Sequence, residues 1–292
     1  MTKCDIANYA DDTTPYSTEP NVDALMYALE FDTNILIKWF EDNYLKLNTD
    51  KCHLLVSNHE DCVFINAAED IIECEKSVKL LGVTIDNKLK FSDHVSIICK
   101  KANQKLHALA RISSLMDKQK LRILMKAFIE SQFGYCPLIW MFHSKTLNNQ
   151  INRLHERALR LVYKDSQLTF EELLRKDKSF SIHHRNLQKL AIEMYKVVNN
   201  IAPTIMKNIF PLREMSYNLR NTNPFQQRNV VSVYNGTETL SFRGPKIWSI
   251  VPEEIKNSTS LKEFKAKIML WEPLNCSCRL CKIYIPNLGF VN

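Results

Sequence analysis

The amino-acid sequence predicts an α+β fold in which short strands and one long helix precede a mainly helical remainder. Three observations predict it. Before residue 90, β-type runs alternate with polar turns. After residue 91, apolar residues recur at helical spacing. Charge also reverses between the two regions: residues 1–75 carry 4 Lys and Arg against 16 Asp and Glu, net −12, whereas residues 76–292 carry 35 against 16, net +19. With 292 residues, 45% of them hydrophobic, the chain is long enough for one or two cores.

The elements follow in order. Ile6 and Tyr9 lead into Ala10-Asp11-Asp12, and Thr13, Thr14 and Tyr16 come after, a pattern of strand, tight turn and strand. Ser17, Thr18 and Pro20 then punctuate the chain. Val22, Leu25, Met26, Leu29, Leu36, Trp39 and Phe40 repeat at helical spacing up to Tyr44. Leu54 to Val56, Val63 to Ile65 and Leu80 to Ile85 read as strands. Beyond Phe91, one helical stripe of Val95, Ile98, Cys99, Ala102, Leu106 and Leu109 leaves Lys100, Lys101, Lys105 and Arg111 off it. Helical patterns continue over 121–133, 147–163 and 182–199, with Arg153, Arg157 and Arg160 on one side of the second. Residues 213–245 have weak periodicity and read as a long loop or small irregular sheet, followed by a last helix over 260–271. Three regions are expected: 1–90, a helical 91–165, and a mainly helical 166–292 with a cysteine-rich tail.

Composition excludes several classes. No segment approaches the roughly 18 apolar residues of a membrane helix, and an N-terminus bearing Asp5, Asp11 and Asp12 is not a secretory signal. A nuclear or cytoplasmic protein without a membrane partner is expected. The 9 cysteines lack the regular spacing of a secreted scaffold, which favours reduced thiols. With only 5 glycines, there is no glycine-rich phosphate loop. The basic remainder attracts polyanions, nucleic acid above all, through counterion release; the alternative is that its charges merely solubilise helices.

Four groups carry candidate chemistry. Asp11 and Asp12 stand at a predicted hairpin tip, where carboxylates can hold divalent cations about 4 Å apart for nucleotidyl transfer. An Asp pair in a turn is also ordinary turn chemistry. Cys276, Cys278 and Cys281 have a spacing that suits zinc, one ligand short of the usual four, with inert thiols as the alternative. His183 and His184 sit beside Arg185 with no carboxylate patterned to orient them, and are expected at the surface or facing nucleic acid. Tyr135, Trp140 and Phe142 around Pro137 read as core packing before base stacking.

Tyr9-Ala10-Asp11-Asp12-Thr13-Thr14 resembles the catalytic hairpin of reverse transcriptases. Trp39-Phe40-Glu41-Asp42-Asn43, followed by Leu45-Lys46-Leu47-Asn48-Thr49-Asp50-Lys51, resembles their next palm motif, and Val78 to Asp86 the primer-gripping hairpin of the non-LTR retrotransposon enzymes. Phe91-Ser92-Asp93-His94-Val95 resembles the opening of their thumb. Phe242 to Trp248, Val251-Pro252 and Ser260 to Lys265 resemble the C-terminal region of jockey-like elements. The resemblance spans nearly the whole chain. It implies a palm remnant over 1–90, a thumb over 91–165, and an RNA-directed DNA polymerase that uses Mg²⁺ or Mn²⁺ with an RNA template, a DNA primer and nucleotides.

By the same resemblance, Asp11 is a direct metal ligand, Asp12 its weaker neighbour, and Tyr9 lies beside the primer terminus and incoming nucleotide. Lys51 matches the lysine that protonates pyrophosphate, with a solvated turn lysine as the alternative. Leu81 and Gly82 shape the primer hairpin, or else a buried strand with a bulge. The basic helices would track the duplex backbone. Some relatives carry Cys/His clusters near the C-terminus that contact nucleic acid, which would give the tail its Zn²⁺. One departure matters: the family's fingers and a further metal-binding aspartate lie upstream of the hairpin, but only eight residues precede Tyr9. The chain is therefore expected to be a fragment, inactive as given. The rival expectation is a catalytically dead nucleic-acid-binding remnant or a host-adopted binding module.

Overall fold

The structure, a computed structural model, describes residues 3–213, 223–226, 236, 239–273, 276, 278 and 280. It is α+β and divides into two compact units, Met1–Phe91 and Ser92–Asn292. No described helix is long and apolar enough to cross a membrane.

The first unit contains helix α1 (Val22–Asp42) and three antiparallel hairpins: β1 (Asp5–Tyr9) with β2 (Asp12–Tyr16), β3 (Phe64–Ala67) with β4 (Asp70–Glu73), and β5 (Ser77–Leu80) with β6 (Val83–Asp86). The helix begins where the Asn21 side chain accepts from the Ala24 amide at 2.8 Å. Its apolar face buries Ala28, Leu29 and Ile37 against Leu54, Val56, Ile65, Ala67 and Ile72. A two-stranded hairpin is marginal alone, and polar side chains of α1 fasten the β3–β4 pair to the helix. Glu30 accepts from the Asn66 backbone amide at 2.9 Å, while Asn34 donates to the Asn66 carbonyl and accepts from the Ala68 amide, both at 2.9 Å.

Two strand expectations change. Leu54 forms only an isolated bridge with Cys74, so 54–56 is not a strand. The run Leu80 to Ile85 is not one strand either, because it turns at Leu81 (φ 46°) and Gly82 (φ 83°). Two consecutive left-handed residues between Leu80 and Val83 are the geometry of a type I′ hairpin turn, which Gly82 accommodates without a Cβ clash.

The second unit runs through α2 (Ser92–Ile112), α3 (Lys118–Phe128), α4 (Pro137–Trp140), α5 (Lys145–Tyr163), α6 (Phe170–Asp177), α7 (Ile182–Val198), α8 (Thr204–Ile209), α9 (Leu240–Ile250), α10 (Glu253–Lys256) and α11 (Leu261–Ile268). Side-chain caps fix where several start: Asp117, Ser144, Ser181 and Ser260 each accept from an amide three residues on, and Thr169 with Glu172 forms a reciprocal capping box. A large core joins Leu187, Leu190 and Met194 of α7 to Phe210, Phe225, Trp248 and Phe264.

Helix α9 corrects the loop reading of 240–245, while most of 214–238 lies outside the described residues. Gly244 and Pro245 hid this helix, since both are breaker signals. Packing explains the glycine. A Cβ there would stand 2.4 Å from Phe210 Cε1 and 2.9 Å from Met194 Sδ, too close for either.

Two charged clusters tie the helices together. Arg122 of α3 donates through Nε to Asp177 Oδ1 at 2.6 Å, and the Tyr163 hydroxyl donates to the same oxygen at 2.9 Å. Glu130, just after α3, accepts from Arg185 Nη1 of α7 at 2.5 Å and faces His155 Nε2 of α5 at 3.2 Å. Burial would raise the Glu130 carboxyl, but hydrogen bonds to His155 and Arg185 outweigh it and hold it at about 2. Burial lowers His155, and its Nε2–H tautomer suits the carboxylate, the stronger acceptor.

Candidate metal-binding hairpin and nucleic-acid interface

The β1–β2 pair closes with Tyr9 opposite Asp12, which leaves Ala10 and Asp11 as a two-residue turn. Ala10 has φ 53°, a left-handed conformation that costs a non-glycine residue about 1 kcal/mol. Tyr9, Asp11 and Asp12 are all exposed. Neither carboxylate makes an ion pair or a side-chain hydrogen bond among the described residues, so both are open to a cation. A hard cation such as Mg²⁺ takes about six oxygen ligands. Among the described residues no group of three or more His, Cys, Asp and Glu side chains is arranged to hold a metal ion, so the hairpin supplies two acids and no third. Lys51 closes an exposed 3₁₀ turn, Thr49–Lys51, and no hydrogen bond or ion pair joins it to the hairpin acids. Leu81, 40% exposed, and Gly82 form the tip of the β5–β6 hairpin.

Within the second unit, α2 and α5 pack side by side and leave a cleft of about 360 Å³ lined by Ser96, Cys99, Lys100, Asn103, Gln150, Arg153, Leu154 and Arg157. The lining has three cations and no carboxylate. Residues 100 and 103 share a face of α2, as 153 and 157 share a face of α5, so helical spacing makes each half and packing brings the halves together. Arg157 Nη1 donates to Asn103 Oδ1 at 3.0 Å, which aims the guanidinium across the cleft. Lys100 and Arg153 make no ion pair among the described residues.

The other basic candidates do not meet there. Lys101 is exposed, Lys105 is half-buried and Arg111 lies in the last turn of α2. Arg160 is committed elsewhere: Nη2 donates to Glu156 Oε1 at 2.7 Å and Nη1 to the Ser166 carbonyl at 2.5 Å.

The tail corrects one expectation. His183 is 5% exposed rather than at the surface, because the capped start of α7 at Ser181 turns it inward with Leu187 and Leu190. Its Nε2 lies 3.2 Å from Cys278 Sγ, and Cys276 is buried nearby in sequence. His184 is pushed down to about 4, by burial first and then by His183. Cys281 lies outside the described residues. No sequence spacing could have paired His183 with a thiol 95 residues away. Trp140 is core, 1% exposed, with Nε1 donating to the Tyr135 carbonyl at 3.1 Å, while Tyr135 itself is 53% exposed.

Comparison with known proteins supports a relationship to the reverse transcriptases of non-LTR mobile elements. The similarity is to the RNA-directed DNA polymerase from mobile element jockey of Drosophila melanogaster, 22% identical over 242 residues. Those residues are 77% of this chain and 26% of that protein, so the chain spans about a quarter of the relative's length. No protein-family model matches the chain. No solved structure matches it either.

Proposed function

We propose that this chain is a segment of the RNA-directed DNA polymerase of a jockey-like non-LTR retrotransposon. Asp11 and Asp12 present oxygen ligands to Mg²⁺ or Mn²⁺, Tyr9 borders the nucleotide and primer end, and the β5–β6 tip at Leu81 and Gly82 steadies the primer. The metal, when bound, supplies Lewis acidity toward the transferring phosphoryl group. Lys51 is the proton donor to pyrophosphate. The helical unit holds the RNA template and DNA primer by their phosphates, contacts that position without reading sequence. The chain belongs to a nuclear or cytoplasmic protein.

The observation that carries this reading is the convergence of Lys100, Arg153 and Arg157 in an acid-free cleft, on a chain similar to a polymerase. Binding of an RNA–DNA hybrid should weaken steeply with salt, and the triple Ala variant of these residues should flatten log K against log salt by about 2 to 3 in slope. A triple variant with the parental slope would remove the cleft from the account.

A catalytically dead binding remnant or host-adopted module is the second reading. It is favoured by the two hairpin acids standing without a third ligand among the described residues, and it keeps the same hybrid binding without nucleotide incorporation.

For the tail, the reading of a structural Zn²⁺ on Cys276, Cys278 and Cys281 rests on the cysteine spacing and on the His183 Nε2–Cys278 Sγ approach, which offers His183 as a fourth donor; His183, Cys276 and Cys278 are not grouped as a metal site among the described residues. The purified chain should retain about one zinc per molecule after exhaustive dialysis, and His183→Ala should lose it. Equal metal content in both proteins would refute the site.

A further inference from the structure

The base of the β1–β2 hairpin is anchored by one buried carboxylate. Asp32, at the midpoint of α1, is 1% exposed, and its Oδ2 accepts from two successive backbone amides: Lys3 at 2.6 Å and Cys4 at 2.5 Å. Hydrogen bonds to a charged acceptor are the stronger kind. A second contact fixes the same point of the chain. The Lys3 ammonium sits 3.7 Å from the centroid of Tyr27 and 4.9 Å from that of Phe31, the residues five and one places before Asp32 on α1. The Cys4 thiol faces the same carboxylate. Burial, and then Asp32, push that thiol up to about 11, so it stays a neutral donor.

Beyond this anchor the hairpin is held through β2, half-buried at Thr13 to Pro15 where it packs on α1, and not through β1. All five residues of β1 are exposed, and among the described residues the pair has no third strand. A two-stranded ribbon of this kind is marginal by itself. Residues 3 and 4 immediately precede β1, so an error of direction at the base is carried along the strand to the turn that bears Asp11.

We propose that Asp32 is a positioning residue for the metal-binding hairpin, clamping the Lys3 and Cys4 amides to α1 and so setting where Asp11 and Asp12 stand. The inference rests on the reading of those two acids as metal ligands. It involves no direct contact between Asp32 and the metal.

The test is made on the whole chain, labelled with ¹⁵N, by amide exchange and by Mn²⁺-induced broadening of the hairpin resonances. Asp32→Ala should speed exchange of the Ile6 to Tyr9 amides at least about tenfold and weaken the Mn²⁺ response severalfold, while the β5–β6 amides keep their parental rates. Asp32→Asn, which retains an acceptor oxygen for both amides, should restore much of both. Parental exchange and broadening in Asp32→Ala would overturn the proposal. Faster exchange throughout the first unit, β5–β6 included, would overturn it too, since Asp32 would then be a general stability residue. Asp11→Asn is the control for the metal reading: if it leaves the Mn²⁺ broadening intact, that reading fails, while the exchange rates still decide whether Asp32 holds the hairpin.

Discussion

Replacing Glu130 by alanine is expected to destabilise the helical unit by about 3 to 5 kcal/mol, the range for removing one partner of a buried ion pair. The carboxylate is 9% exposed and satisfies two helices at once, through Arg185 on α7 and His155 on α5. Alanine leaves the Arg185 guanidinium without its counter-charge and opens a void beside a fully buried imidazole. Glu130→Gln keeps the shape and one acceptor, so it should cost less. Urea unfolding of the three proteins, followed by circular dichroism, measures the effect, and a Glu130→Ala midpoint equal to the parent would show the cluster contributes nothing net.

The same cluster gives a pH dependence of fixed sign. Glu130 is held at about 2 against an ordinary 4.5, so its contribution is complete above about pH 4.5 and disappears as pH falls through 2. The shift corresponds to about 3 kcal/mol. His155, lowered from 6.5 chiefly by burial, acts in the same direction, because it must take up a proton on unfolding at mildly acid pH. Glu130→Gln should therefore show a flatter loss of stability between pH 4.5 and 2 than the parent.

What the sequence made legible follows from how strong each local signal was. The helices Ser92–Ile112, Lys145–Tyr163 and Ile182–Val198 carry long apolar stripes, and their limits fall within a few residues of the expected ones. The Tyr9–Asp12 turn was legible for a similar reason, since β-type residues flank it on both sides. Helix α9 was not, because Gly244 and Pro245 are chosen there by the packing of Phe210 and Met194, which no local pattern records. The basic residues were visible as off-stripe positions on two separate helices. That Lys100, Arg153 and Arg157 meet while Arg160 turns to Glu156 depends on how α2 packs on α5 and on the chain beyond Tyr163. Asp32 gave no signal at all: an aspartate in a helix reads as solvated until its two backbone partners, 28 and 29 residues away, are known.

The second large effect belongs to Asp11. In a polymerase that contains this chain together with the upstream palm segment the resemblance implies, Asp11→Asn should lower Mg²⁺-dependent primer extension on an RNA template by on the order of 10³-fold, because an amide is a poor ligand for a hard cation and removes one unit of the negative charge that would hold the cation at the transferring phosphoryl group. Asp12→Asn and Lys51→Ala should cost less, since the one is the weaker neighbour and water can replace the other as proton donor. The chain by itself should extend no primer, its hairpin offering two of the several oxygen ligands that a pair of bridged ions requires. Primer extension with Asp11→Asn in the longer polymerase is the measurement that bears most directly on the account: incorporation reduced to background is the predicted result, and incorporation at the parental rate would contradict it.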